Sequence, residues 1–191
     1  MKKKALLAVL TCFVMVSGIY AQKVGAKTNF AWWGIAGSPN LQLELKTGAK
    51  STLELGAGFN PFTFSDNKKA KHWLAQPEIR YWFCEPFNGS FFGFHLLGGQ
   101  MNVGGWDINV GRLSKFKDHR YQGWFYGAGV SYGYQWILSP RWNFELNLGG
   151  GYARLEYDKF PCAKCGVKED SGNYNYFGVT KAAISLVYMI K

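Results

Sequence analysis

Apolar and polar residues alternate with a period of two through most of the chain, the pattern of strands with two different faces. Leu41, Leu43 and Leu45 alternate with Gln42, Glu44 and Lys46 in Asn40–Lys46. Ser51–Asn60 sets Leu53, Leu55, Ala57 and Phe59 against Glu54, Gly56, Gly58 and Asn60, and Ala75–Cys84 sets Pro77, Ile79, Tyr81 and Phe83 against Gln76, Glu78 and Arg80. The clearest run is Tyr121–Trp136, where Trp124, Tyr126, Ala128, Val130, Tyr132, Tyr134 and Trp136 oppose Gly127, Gly129, Ser131, Gly133 and Gln135. Trp142–Tyr152 repeats it with Phe144, Leu146 and Leu148 against Asn143, Glu145 and Asn147. A last strand places Ala182, Ile184, Leu186, Tyr188 and Ile190 opposite Lys181, Ser185 and Lys191. Two less regular segments, 27–37 and 90–101, bring the expected strands to eight.

Short turns at 47–50, 85–89 and 137–141 interleave with long loops at 61–74, 102–120 and 158–173. That rhythm, with strands of about ten residues, predicts an eight-stranded antiparallel up-and-down transmembrane β-barrel, all-β, with periplasmic turns and surface loops. Tyr121–Pro140 is uncharged for 20 residues, but its four interior glycines and strict alternation exclude a membrane helix. The large aromatic face suits lipid and the small polar face suits a narrow lumen. Trp124, Trp136, Trp142, Tyr152 and Tyr188, near strand ends, fit interfacial girdles.

Met1-Lys2-Lys3-Lys4 followed by the apolar run Ala5–Ile19 reads as a signal peptide cleaved near Ala21, so residues 22–191 form the single domain. Without those three lysines the formal net charge falls from +10 to +7. Glycine, 24 in the whole chain, is used at close to twice the average frequency of roughly 7%. The expected location is the bacterial outer membrane, with outer-membrane lipid, lipopolysaccharide and the barrel-insertion machinery as partners.

The same strands carry a resemblance. PNLQLEL at 39–45, NPFTFSDN at 60–67, KHWLAQPEIRYWFCEPFNGSFFGFH at 71–95, NVGG at 102–105, GWFYGAGVSYGYQWILSPRWNFE at 123–145, CAKCG at 162–166 and YFGVTKAAISLVY at 176–188 together resemble a small Bacteroidetes outer-membrane β-barrel family carried as a domain of unknown function. Val179 stands where that family usually has Pro. The resemblance implies an exported outer-membrane barrel, with no established activity or catalytic residues to carry over, and some members are encoded near fimbrial genes.

Three constellations carry candidate chemistry. The first is a lumenal charge network of Glu44, Lys46, Glu54, Glu78, Arg80, Glu145 and Lys181, with His95 nearby. Buried charges must pair, so it reads as a filler that holds register. The alternative is a gate in which carboxylates exchange between Arg80 and Lys181 to open a narrow ion channel. The second is Cys162-Ala163-Lys164-Cys165, read as a local disulfide tightening a surface loop. Reduced thiols, a metal shared with Asp158, Glu169 or another chain, and redox chemistry are the other readings of that pair. The third is a set of basic loops: Lys68, Lys69, Lys71 and His72; Arg112, Lys115, Lys117, His119 and Arg120; Lys159, Lys164 and Lys168. At a bacterial surface these would face lipopolysaccharide phosphates, fimbrial components or other cell-surface proteins; export argues against nucleic acid.

A lipid-modifying enzyme would need a set such as Ser131, His95 and Glu145, expected near mid-barrel and out of reach of an acyl bond. The expectation is therefore a non-enzymatic structural or surface-interaction protein, with no metal or cofactor. The ion channel is the alternative and the lipid-modifying enzyme the third reading.

Overall fold

A computed structural model describes residues 24–63, 69–105, 119–161 and 166–190. The expected leader, Lys68, Arg112, Lys115, Lys117, Cys162, Lys164 and Cys165 lie outside them. Eight antiparallel strands follow in chain order: β1 (Val24–Asn29), β2 (Asn40–Lys46), β3 (Ser51–Asn60), β4 (Lys69–Trp82), β5 (Gly89–Gly104), β6 (Arg120–Ile137), β7 (Trp142–Phe160) and β8 (Asp170–Met189). Each pairs with the next, and β1 pairs with β8, so the sheet is a closed hydrogen-bonded ring without free edges.

The predicted alternation sets the faces. Leu41, Leu55, Ile79, Phe94, Val130, Leu148 and Ile184 stand exposed on the outside of the ring, while Gln42, Glu54, Glu78, His95, Ser131 and Glu145 are buried within it. The orientation is inverted relative to a water-soluble sheet protein, where buried positions are mostly apolar.

The first expected strand is corrected. β1 stops at Asn29, and Phe30–Ala36 form a helix, α1, where a strand to residue 37 was expected. The Asn29 side chain accepts a hydrogen bond from the Ala31 amide at 2.9 Å and so caps the first turn. Gly37, at φ 58°, ends the helix in the left-handed region that glycine tolerates. The long loops are corrected too: β4, β7 and β8 run into the segments 61–74 and 158–173, and β5 and β6 into the ends of 102–120. The wall is uneven, with strands of 6–10 residues in β1–β3 and 14–20 in β4–β8.

Between β6 and β7 the strands coil closely. A Cβ on Gly123 would lie 2.7 Å from the Tyr157 Cα and against the Glu156 carbonyl, a contact that glycine avoids. β7 and β8 shift register at Gly149/Gly150: Gly149 faces Lys181 and Gly150 faces Val179, leaving Thr180 as the extra residue of a bulge.

Candidate functional site: a sealed charged interior

The register lines up like charges. Glu44, Glu54 and Glu78 are directly opposite one another across β2, β3 and β4, and His95 on β5 continues the row. Three adjacent carboxylates would destabilise the sheet unless cations offset them. Lys27 on β1 and Lys181 on β8 enter from other strands, and Arg80 comes from β4 itself. Lys27 Nζ lies 2.6 Å from Glu44 Oε2, 2.5 Å from Glu54 Oε2 and 2.8 Å from Glu145 Oε2. Arg80 donates through Nε to Glu78 at 2.6 Å, through Nη1 to Glu44 and Glu145 at 2.9 and 2.8 Å, and pairs through Nη2 with Glu54. Lys181 Nζ bridges Glu54 at 2.7 Å and Glu78 at 2.9 Å. All seven are fully buried or nearly so. Charge-assisted bonds of this length are the strong class, and each ion here has more than one partner.

Four carboxylates meet three cations, so one formal negative charge remains, and His95 Nδ1 stands 3.6 Å from Glu78 Oε2. Glu44, Glu54 and Glu145 are close enough together to suggest a metal cage. The centre they surround is taken by the Lys27 ammonium and the Arg80 guanidinium, so these carboxylates have their counter-charges already.

The bulge supplies the second tier. Extra residue Thr180 turns its hydroxyl to His95 Nε2 at 2.9 Å, and its carbonyl accepts from Gln76 Nε2 at 3.0 Å. Ser131 donates to Glu78 at 3.1 Å, as does Asn147 at 3.2 Å. Ser131, His95 and Glu145 share no hydrogen bond: Ser131 and His95 both approach Glu78 Oε2, at 3.1 and 3.6 Å, His95 also meets Thr180, and Glu145 holds Lys27 and Arg80.

Both ends of this interior are filled. On the side of the short turns, buried Trp82, Phe87 and Phe91 form a floor, with Trp82–Phe91 ring centroids 4.6 Å apart. Phe91 also lies under the Arg80 guanidinium at 4.3 Å, and the Trp82 indole donates to Thr52 at 2.9 Å. Phe87 takes φ 70°, a left-handed conformation costly for a bulky side chain, and its carbonyl is held by Asn143 at 3.1 Å. On the opposite side, Trp32 of α1 covers Gly58, where any Cβ would strike its ring. Asn29, Asn40, Ser38 and His72 tie that region together through bonds such as Asn40 Nδ2 to the Asn29 carbonyl and Ser38 Oγ to His72 Nε2.

Six of the seven expected network residues thus come together. Lys46 does not: it is half-buried near the turns and makes no ion pair among the described residues. Lys27 is the residue the sequence pattern missed, because β1 is short and its alternation is broken by the helix after it. Of the expected basic loops, the Lys69 and Lys71 backbones belong to β4, and Arg120 starts β6 with its guanidinium 4.1 Å over Phe160. Lys159 pairs with Glu169 at 3.2 Å and Lys168 with Asp158 at 2.7 Å, so part of this charge is neutralised locally. Bonds from Lys168 and Ser171 hold the exposed Asp158 carboxyl below its ordinary range. Cys84 is an exposed free thiol near the short turns.

Residues 6–190 match the model of a family described as a protein of unknown function, DUF3575, and the chain belongs to that family. No curated protein and no solved structure matches it.

Proposed function

We propose that this DUF3575 protein is an outer-membrane β-barrel with a closed lumen, a non-enzymatic anchor that presents its long-loop end to lipopolysaccharide, fimbrial components or a host surface. The observation that carries the reading is the outer face of the ring. From Tyr81, Trp136, Trp142 and Tyr188 at one end to Phe59, Trp73, Trp124 and Tyr152 at the other, every outward position is uncharged. Trp142 to Tyr152 spans about 34 Å along the strand at ~3.4 Å per residue. At a tilt of about 40° that gives ~26 Å of height, against the roughly 25 Å apolar band of outer-membrane barrels. In water so large an exposed apolar belt would drive aggregation.

The closed lumen supports a non-conducting role. Arg80 and Lys181 each engage Glu54 and Glu78 at once, and an ion would also have to pass Trp82, Phe87 and Phe91. Export by a cleaved leader and handling by the barrel-insertion machinery belong to the same proposal. Sucrose-gradient fractionation of membranes, with planar-bilayer recording of the purified protein, tests it. Co-sedimentation with outer membrane and a silent bilayer are expected; a soluble periplasmic product, or conductance steps that change in Arg80→Ala, would overturn it.

A further inference from the structure

The closed interior is not the only built feature. At the long-loop end, register brings two outward rows into line. The lower row runs Phe59–Trp73–Gln100–Trp124 across β3 to β6, and the upper row runs Lys71–Asn102–Gln122–Asp158 across β4 to β7. Between them lies a half-open cleft of about 440 Å³. That volume falls within the roughly 300–1,000 Å³ of small-ligand pockets. Its base is aromatic: Trp73 and Trp124 meet edge to face, centroids 5.8 Å apart at 89°, and both remain substantially exposed. Its rim is a run of carboxamides. Gln100 accepts the Trp73 indole N–H at 3.0 Å, which fixes its orientation, and Asn102 and Gln122 face each other at 3.5 Å. The Asn102 side-chain oxygen is buried and has no hydrogen-bond partner among the described residues.

We propose that this cleft is a saccharide site. A pyranose ring has an apolar C–H face and an edge of hydroxyls that both donate and accept. Indole faces receive the first, and carboxamides, which carry a donor pair and an acceptor on one plane, receive the second. Gln100, its oxygen already taken by the Trp73 indole, keeps its amide N–H groups to donate, and the exposed Gln122 carboxamide offers both a donor pair and an acceptor. Other ligand chemistries fit less well. A phosphate calls for several cations, whereas Lys71 is joined in the upper row by Asp158, whose carboxylate is engaged by Lys168 at 2.7 Å and Ser171 at 2.8 Å. An acyl chain alone would leave three carboxamides facing hydrocarbon. The cleft begins where the uncharged belt ends, at the height of lipid headgroups. The saccharide is thus either the sugar headgroup of an outer-leaflet glycolipid or a soluble glycan; the lipid-borne source rests on the outer-membrane reading, whereas the sugar chemistry of the cleft does not.

The test uses the full chain refolded in phosphatidylcholine nanodiscs, with and without rough lipopolysaccharide, and chitobiose as the soluble probe. Saturation-transfer NMR and tryptophan quenching read binding in the wild type and in Gln100→Leu, Gln122→Leu and Trp124→Leu. The unboiled gel mobility of each variant reports that it has folded. Chitobiose binding that weakens about tenfold or more in folded variants supports the site and a general glycan ligand. A response only to lipopolysaccharide discs, lost in the same variants, supports the lipid-borne source. No response to either probe, or equal responses in wild type and folded variants, would overturn the proposal. A protein that proves soluble would remove the membrane reading while leaving the chitobiose arm to decide the cleft.

Discussion

Replacing Lys27 by Met keeps most of the side-chain volume and deletes the ammonium between Glu44, Glu54 and Glu145, to which it is bound at 2.5–2.8 Å. Arg80 and Lys181 would then be left to neutralise four carboxylates in a site with no access to solvent. Removing one partner of a buried ion pair costs about 3–5 kcal/mol, because the other charge stays desolvated without compensation. At 1.4 kcal/mol per factor of ten, the folded-to-unfolded ratio falls by roughly two to three and a half powers of ten. Urea unfolding of the detergent-refolded protein, followed by tryptophan fluorescence and by unboiled gel mobility, would show an earlier midpoint with an unchanged slope. The double variant Lys27→Met/Glu145→Gln removes one of the stranded carboxylates and should recover part of the loss, with a coupling of about 0.5–3 kcal/mol. A Lys27→Met protein within about 0.5 kcal/mol of wild type would mean that the Lys27 ammonium is not needed to hold the carboxylates, since changes of that size are typical of surface positions.

Three further outcomes follow from the same contacts. Gly58→Leu should displace Trp32 from the mouth of the ring, which limited proteolysis would read as faster cleavage within 30–36; an unchanged rate would separate α1 from the seal. The paired change Trp82→Ala/Phe91→Ala removes two of the three floor rings but leaves Arg80 and Lys181 bridging Glu54 and Glu78, so the bilayer should stay silent; leak current would mean that the floor, not the charge layer, closes the lumen. The Asp158 carboxyl, held low by Lys168 and Ser171, should return towards its ordinary value in Lys168→Ala when followed by NMR titration. Because its folded-state value is depressed, the small stabilisation from this contact is present above the unfolded value and lost as pH falls through the folded one.

The strands with two clearly different faces were legible because burial inside and exposure outside impose a period of two on every residue. Asn40–Lys46 and Ser51–Asn60 match β2 and β3 residue for residue. What failed to show was set by single residues that periodicity does not weigh. Asn29 and Gly37 terminate a helix within an apolar stretch that scans as a strand, and this hid Lys27 on the shortened β1. The heights of β4, β7 and β8 were underestimated because Lys69, Asp158 and Asp170 read as loop residues, although sheet pairing continues through them. Most of the charge network was visible as inward Glu, Arg and Lys; the tier above it, Thr180 to His95 and Gln76, rests on a bulge, a two-against-one pairing that no residue pattern announces.

The most direct test of an outer-membrane barrel is a gel of the outer-membrane fraction run with and without boiling, alongside protease shaving of intact cells. An outer-membrane barrel gives a mobility shift on boiling and cuts confined to segments near 61–68, 105–119 and 161–169, on the side opposite the turns at 47–50 and 137–141. A soluble periplasmic protein with no shift, or cuts at those turns in intact cells, would contradict it.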